Sequence, residues 1–184
     1  MMNRRPVNIR RNVEAFDDPY IDQQSLQDNT LCSACGSVYV SDRWYLPELA
    51  PTDRNAQGEE PRRIVCPACR KMRDRMPGGV LTMTGQFLWE HREEVLNLIN
   101  NECGKAQAVN PLERIISMET VDGGIQVTTT NEKLAQRIGR ALHKAYSGEI
   151  EYKWSEDTKL ARVNWRRDSK DETPGSSGCG RKRH

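Results

Sequence analysis

No stretch of this 184-residue chain approaches the ~18 uninterrupted apolar residues that a membrane-spanning helix needs. The opening Met1-Met2-Asn3-Arg4-Arg5-Pro6 also lacks the apolar run of a secretory leader, so the chain is expected in the cytoplasm. Histidine occurs only three times. His91, followed by Arg92-Glu93-Glu94, does not fit the His-Glu-x-x-His spacing that sets two imidazoles on one helix face, and it reads as a surface or partly packed side chain. His143 falls opposite an apolar stripe and should be solvated. The pairs Gly78-Gly79 and Gly123-Gly124 lack the spaced triplet or downstream Lys-Ser/Thr of a phosphate loop, which leaves turn formation as their role. No nucleophile, base and orienting acid are placed together, so neither enzyme activity nor a small-molecule substrate is expected.

What the chain does have is cysteine in an ordered pattern. Cys32-Ser33-Ala34-Cys35 and Cys66-Pro67-Ala68-Cys69 are two Cys-x-x-Cys turns, and in a reducing compartment such pairs point to metal ligation rather than disulfides. Four thiolates suit tetrahedral zinc, and with four sulfurs no coordination position is left open for catalysis. Cys32, Cys35, Cys66 and Cys69 are therefore the expected ligands of one structural Zn2+. A redox dithiol is the alternative, although that chemistry usually uses a single pair opening a helix. Cys103 and Cys179 stand outside the pattern and read as incidental free thiols.

The net charge of +2 is too small to announce a nucleic-acid partner, and its distribution says more. Between residues 61 and 75, Arg62, Arg63, Arg70, Lys71, Arg73 and Arg75 stand against the single acid Asp74. These bases either offset the −2 charge of a zinc tetrathiolate or contact phosphate, for which arginine's planar fork is suited. Arg43 and Trp44, just after the first cysteine pair, form an exposed candidate for stacking on a base.

Residues 1–28 show no sustained apolar period and read as a flexible arm. Residues 29–77 form the zinc module, with an inserted loop from Pro47 to Pro61. From 78 to 165 the pattern reads as an α+β domain. It starts with a strand at Val80 to Thr84 and a helix from Gln86 to about Asn101, followed by a hairpin around Asp122-Gly123-Gly124. A second helix follows, capped by Thr129 and Glu132 and stopped at Gly148, and strands over Glu149–Trp154 and Leu160–Trp165 end the domain. Tyr152, Trp154 and Trp165 alternate as sheet-core residues should. The order of elements matches an antiparallel, ferredoxin-like sheet with two helices plus one extra strand. The overall expectation is thus an N-terminal four-cysteine, zinc-ribbon-like module, an α+β domain, and a disordered tail over 166–184.

The run Cys32-Ser33-Ala34-Cys35-Gly36-Ser37-Val38-Tyr39-Val40-Ser41-Asp42-Arg43-Trp44, with Cys66-Pro67-Ala68-Cys69 after it, resembles the zinc-binding start of the Nmd-three family. These proteins are archaeal and eukaryotic adaptors of the large ribosomal subunit. Gly124-Ile125-Gln126-Val127-Thr128-Thr129-Thr130 and Leu134-Ala135-Gln136-Arg137-Ile138 also look like that family's strand and helix, and small bacterial zinc proteins associated with stress are its apparent relatives. This chain departs from the adaptors in having fewer zinc-type cysteines and no room for their further domains. The resemblance implies contact with the ribosome or structured RNA through the zinc module. A zinc-ordered protein-interaction module is the alternative, because the C-terminal domain offers no broad basic face.

Overall fold

A computed structural model describes residues 20, 26–51, 60–155 and 160–169. The first cysteine pair lies in a small meander of β1 (Thr30–Cys32), β2 (Val38–Val40) and β3 (Arg43–Tyr45). Ser41 and Asp42 both take left-handed backbone between β2 and β3, the conformation that matches the twist of a two-residue hairpin, and the Tyr39 hydroxyl donates to Asp42 at 3.1 Å. After a 3-10 turn at Pro47–Leu49, the chain returns as β4 (Arg63–Ile64), which pairs parallel to β1 in the order β3-β2-β1-β4.

Helix α1 (Pro67–Asp74) follows at once, with Pro67 in the first turn, where its missing N–H has no helical partner to lose. The second cysteine pair therefore opens a helix, whereas a ribbon-like module would put it on a second turn between strands. Pro67, set in φ for a helix start, favours this beginning.

The second sheet is built from β5 (Gly79–Thr84), β6 (Ile115–Val121), β7 (Gly124–Thr129), β8 (Glu149–Trp154) and β9 (Ala161–Arg166), in the order β6-β7-β5-β9-β8. Helices α2 (Gln86–Glu90), α3 (Arg92–Val109) and α4 (Glu132–Tyr146) complete the α+β domain. Leu81 and Met83 of β5 pair with Val127 and Ile125 of β7 on one side and with Val163 and Trp165 of β9 on the other. All six are buried, and with Leu134, Ile138 and Leu142 of α4 and Val95 and Ile99 of α3 they form one core. The opposite face carries Thr82, Thr84, Gln126, Thr128 and Asn164. A Cβ at Gly139 would stand 2.7 Å from Val163, so α4 sits on the sheet at a distance that only glycine permits there.

Several expectations change. The sheet is mixed rather than antiparallel, because β9 runs parallel to β5 and separates it from β8. Ala161, Val163 and Trp165 are all buried, while Tyr152 and Trp154, which face the same side from β8, are exposed, as suits a central strand beside an edge strand. Of the three alternating aromatics, Trp165 alone is fully buried; Tyr152 is 40 % exposed and Trp154 58 %. The first helix breaks at His91, which stacks on Phe87 with ring centroids 4.2 Å apart, and resumes as α3 to Val109.

At α4 the cap is Asn131, whose side chain accepts from the Leu134 N–H at 3.0 Å. The Thr129 hydroxyl is committed to the carbonyls of Gly79 and Asn131. The α+β domain also runs past residue 165: the Arg167 guanidinium lies 3.8 Å over the Phe87 ring, and Arg167 N–H donates to Thr84. Most of the expected arm and tail, the middle of the inserted loop, Cys179 and His184 lie outside the described residues. Among those described, no helix is long and apolar enough to cross a membrane.

Candidate metal centre

The four cysteines are brought together from two supports. Cys32 ends β1 and Cys35 closes the turn after it, where Gly36 takes φ 76° and its N–H donates back to the Cys32 carbonyl at 2.9 Å. Cys66 caps α1 and Cys69 lies one turn inside it. Their Sγ atoms all lie within 4.8 Å of one another, and all four are free thiols. The cluster is positioned to hold a metal ion. Cys32 and Cys66 are buried, and Cys35 and Cys69 are half-buried.

Small donors aim at the sulfurs, as the outer shell of a metal site requires. The Cys66 N–H donates to Cys32 Sγ at 3.3 Å, and Ser37 Oγ lies 3.2 Å from Cys35 Sγ. From the other domain, Arg114 reaches in, its Nη1 3.8 Å from Cys69 Sγ and its Nη2 3.4 Å from Ser37 Oγ. The arginine is steadied by its own Nε donating to the Pro111 carbonyl at 2.7 Å. Its backbone N–H donates to Thr130 Oγ1 at 2.9 Å. Leu112, two residues away, packs with Trp44, Cys66 and Ala68.

The sulfurs differ in acidity. Burial alone would raise the Cys35 thiol, but hydrogen bonds from the Ser37 side chain and backbone and from Cys32, with the charge of Arg114, outweigh it and lower the pKa to about 6. Burial pushes the Cys66 thiol well up, helped by the charge of the neighbouring cysteines, and burial also raises Cys69, to about 11. Burial of the Arg114 guanidinium opposes its charge, yet the hydrogen bond and charge of Cys35 leave it raised on balance.

Around neutral pH, Cys35 is thus a thiolate while Cys66 and Cys69 keep their protons, which an incoming metal must displace. Proton release makes binding stronger at higher pH, so affinity should rise by about tenfold per pH unit for each displaced proton. Competition with a chelator across the neutral range checks this, and a flat profile would contradict it. Arg114→Gln keeps a polar side chain but removes the charge, and should weaken metal binding about ten- to a hundredfold in the same titration.

The bases expected to meet nucleic acid are differently disposed. Arg62 and Arg63, at the start of β4, and Arg73 and Arg75, at the end of α1, are exposed. Arg73 is paired with Asp74 at 2.8 Å, Arg70 Nη2 donates to the Tyr20 carbonyl at 2.7 Å, and Lys71 lies over the Tyr20 ring. Arg43 is exposed, with Nη2 donating to the Val109 carbonyl at 3.3 Å. Trp44 is the correction: at 6 % exposure, with Tyr39 packed edge-on against it at 5.4 Å, its ring belongs to the small core behind the sulfurs and is not offered to a base.

Sequence reasoning missed Arg114, because nothing local marks an arginine 45 residues beyond Cys69 as its neighbour. No protein-family model, curated protein or solved structure matches this chain.

Proposed function

We propose that the cluster holds one structural Zn2+ and that the chain is a non-enzymatic, cytoplasmic protein whose metal-ordered module contacts structured RNA, on the ribosome in the first instance. The four-sulfur cluster carries the reading. Zinc bonded to four thiolates at ~2.3 Å has sulfur-sulfur edges of roughly 3.8 Å. Cys35 Sγ and Cys66 Sγ stand 3.8 Å apart. Zinc chemistry at such a site is structural: a closed tetrathiolate fixes the turn after β1 against the start of α1.

Contact with RNA is supported by the exposed guanidinium groups of Arg62, Arg63 and Arg75 on that module, and by the likeness of its cysteine turns to the Nmd-three adaptors. Trp44 drops out of the contact set, and Arg43, Arg70, Lys71 and Arg73 are secondary because each already meets a group of this chain. A stress role follows from the likeness alone.

Sedimentation of tagged protein through sucrose gradients tests the reading, in growing and in starved cells. Co-migration with ribosomal particles at low salt is expected, with affinity falling by about one log unit per log of salt for each phosphate contacted. Arg62→Glu with Arg63→Glu should abolish co-migration while leaving bound zinc unchanged. Absence from ribosomal fractions at low salt in both states would overturn the RNA reading, and a metal-free native protein would overturn the zinc reading.

A further inference from the structure

β8 forms one edge of the larger sheet, and among the described residues no strand lies on its outer side. An open edge of backbone donors and acceptors is a template for another strand, and proteins usually blunt it with a bulge, a proline or isolated charge. The opposite edge is treated in this way: β6 carries a register shift between Ile115 and Ser117. β8 has none, its pairing with β9 running unbroken from Glu149 to Trp154. It also exposes two aromatic rings on its helix-side face, Tyr152 and Trp154.

The sequence of this edge is self-complementary about Tyr152. If a second copy pairs antiparallel with Tyr152 opposite Tyr152, then Glu151 of each copy faces Lys153 of the other on the open face of the sheet. On the helix side, Ile150 of each copy faces Trp154 of the other. Each of these pairs is of a favourable kind: opposite charges, an apolar side chain against an aromatic, and two aromatics. Moving the axis by one residue, to Glu151, slips the register by two and would set Glu151 against Glu151. Lys153 would ordinarily blunt the edge, and within one chain its Nζ reaches Glu151 at 3.0 Å. Paired across two chains, the same two residues bind the copies in one register. The two-fold axis runs perpendicular to the sheet, so helices face the same side in both copies and the sheet continues through ten strands. We propose that β8 is the interface of a homodimer in which two five-stranded sheets join edge to edge, with Tyr152 on the symmetry axis. This proposal does not depend on what the metal module binds.

The test uses the full-length, metal-loaded chain in sedimentation velocity. The native protein should run at twice its 21.1 kDa monomer mass. Glu151→Lys and Lys153→Glu each place two like-charged pairs in the interface and should each weaken the dimer by about tenfold or more. Both side chains are exposed, so native thermal unfolding and metal content should be retained. Mixing the two variants decides the matter: in the mixed dimer every introduced charge faces an opposite one, and association should return. The double variant should dimerise with itself for the same reason. A native chain that stays monomeric over the accessible concentration range overturns the proposal. So does a dimer indifferent to both single reversals, or a pair of variants that fails to associate on mixing.

Discussion

Cys66→Ser should yield a chain without bound metal and with its N-terminal module unfolded. Cys66 is fully buried, caps α1, and sits at the junction of both cysteine turns. Structural zinc sites contribute roughly 10–16 kcal/mol of apparent binding energy, as much as the whole stability of an ordinary domain. The module has little else: beyond the cysteines, its buried centre is Trp44 and Ala68, with Leu26, Tyr39, Ile64 and Leu112 around them. Elemental analysis should therefore find no stoichiometric metal in the variant. Circular dichroism should still show helix, because the α+β domain keeps its separate core. Cys103→Ser is the control, since Cys103 lies on α3 within that other core and should leave metal content untouched. Full metal occupancy in Cys66→Ser would remove the four-sulfur site from consideration.

Trp165→Ala should produce the complementary result, a destabilised α+β domain with its metal still bound. The indole is completely buried, touches Phe87 edge-on at 6.3 Å, and donates from Nε1 to the Ser147 carbonyl at 2.8 Å. Truncating a core tryptophan typically destabilises by about 3–5 kcal/mol, and the Ser147 carbonyl loses its donor as well. Denaturant unfolding followed through α3 and α4 should show the loss. Trp165→Phe, which keeps a ring and removes the donor, should fall between. Equal loss of metal in Trp165→Ala would mean that the two cores do not fold separately.

Much of this was legible in the chain. Spacing alone marked the four cysteines, and alternation marked β5, β7 and β9, because both are local patterns imposed by chemistry at fixed intervals. What was hidden depends on contacts far apart in sequence. Ile150, Tyr152 and Trp154 alternate as well as Ala161, Val163 and Trp165 do, and periodicity does not say which strand becomes the edge. Nor does charge, since Arg162 and Arg166 of β9 are exposed on the open face just as Glu149, Glu151 and Lys153 of β8 are. Trp44 looked exposed beside Arg43, yet a module this small needs a large ring to cover its sulfurs. Arg114 carries no motif, and only folding brings it to Ser37 and Cys69. Thr129 and Glu132 have the spacing of a capping pair, but the hydroxyl was already committed to β5, which left Asn131 to do the capping.

The position of β9 also sets an order of events during synthesis. Among the described strands, the one made last is the one that must slot between β5 and β8, so these five strands cannot pair progressively behind the growing chain. The cysteine module draws on nothing later than Arg114 and the Thr130 that holds it, whereas β8, once made, waits for Ala161–Arg166 before it has a neighbour. Pairing across so long a separation is slow to nucleate, and until it happens the flank of β5 that β9 will occupy stays open. A chain cut short after Trp154 would therefore lose the middle of its sheet, and with it the attachment of its edge.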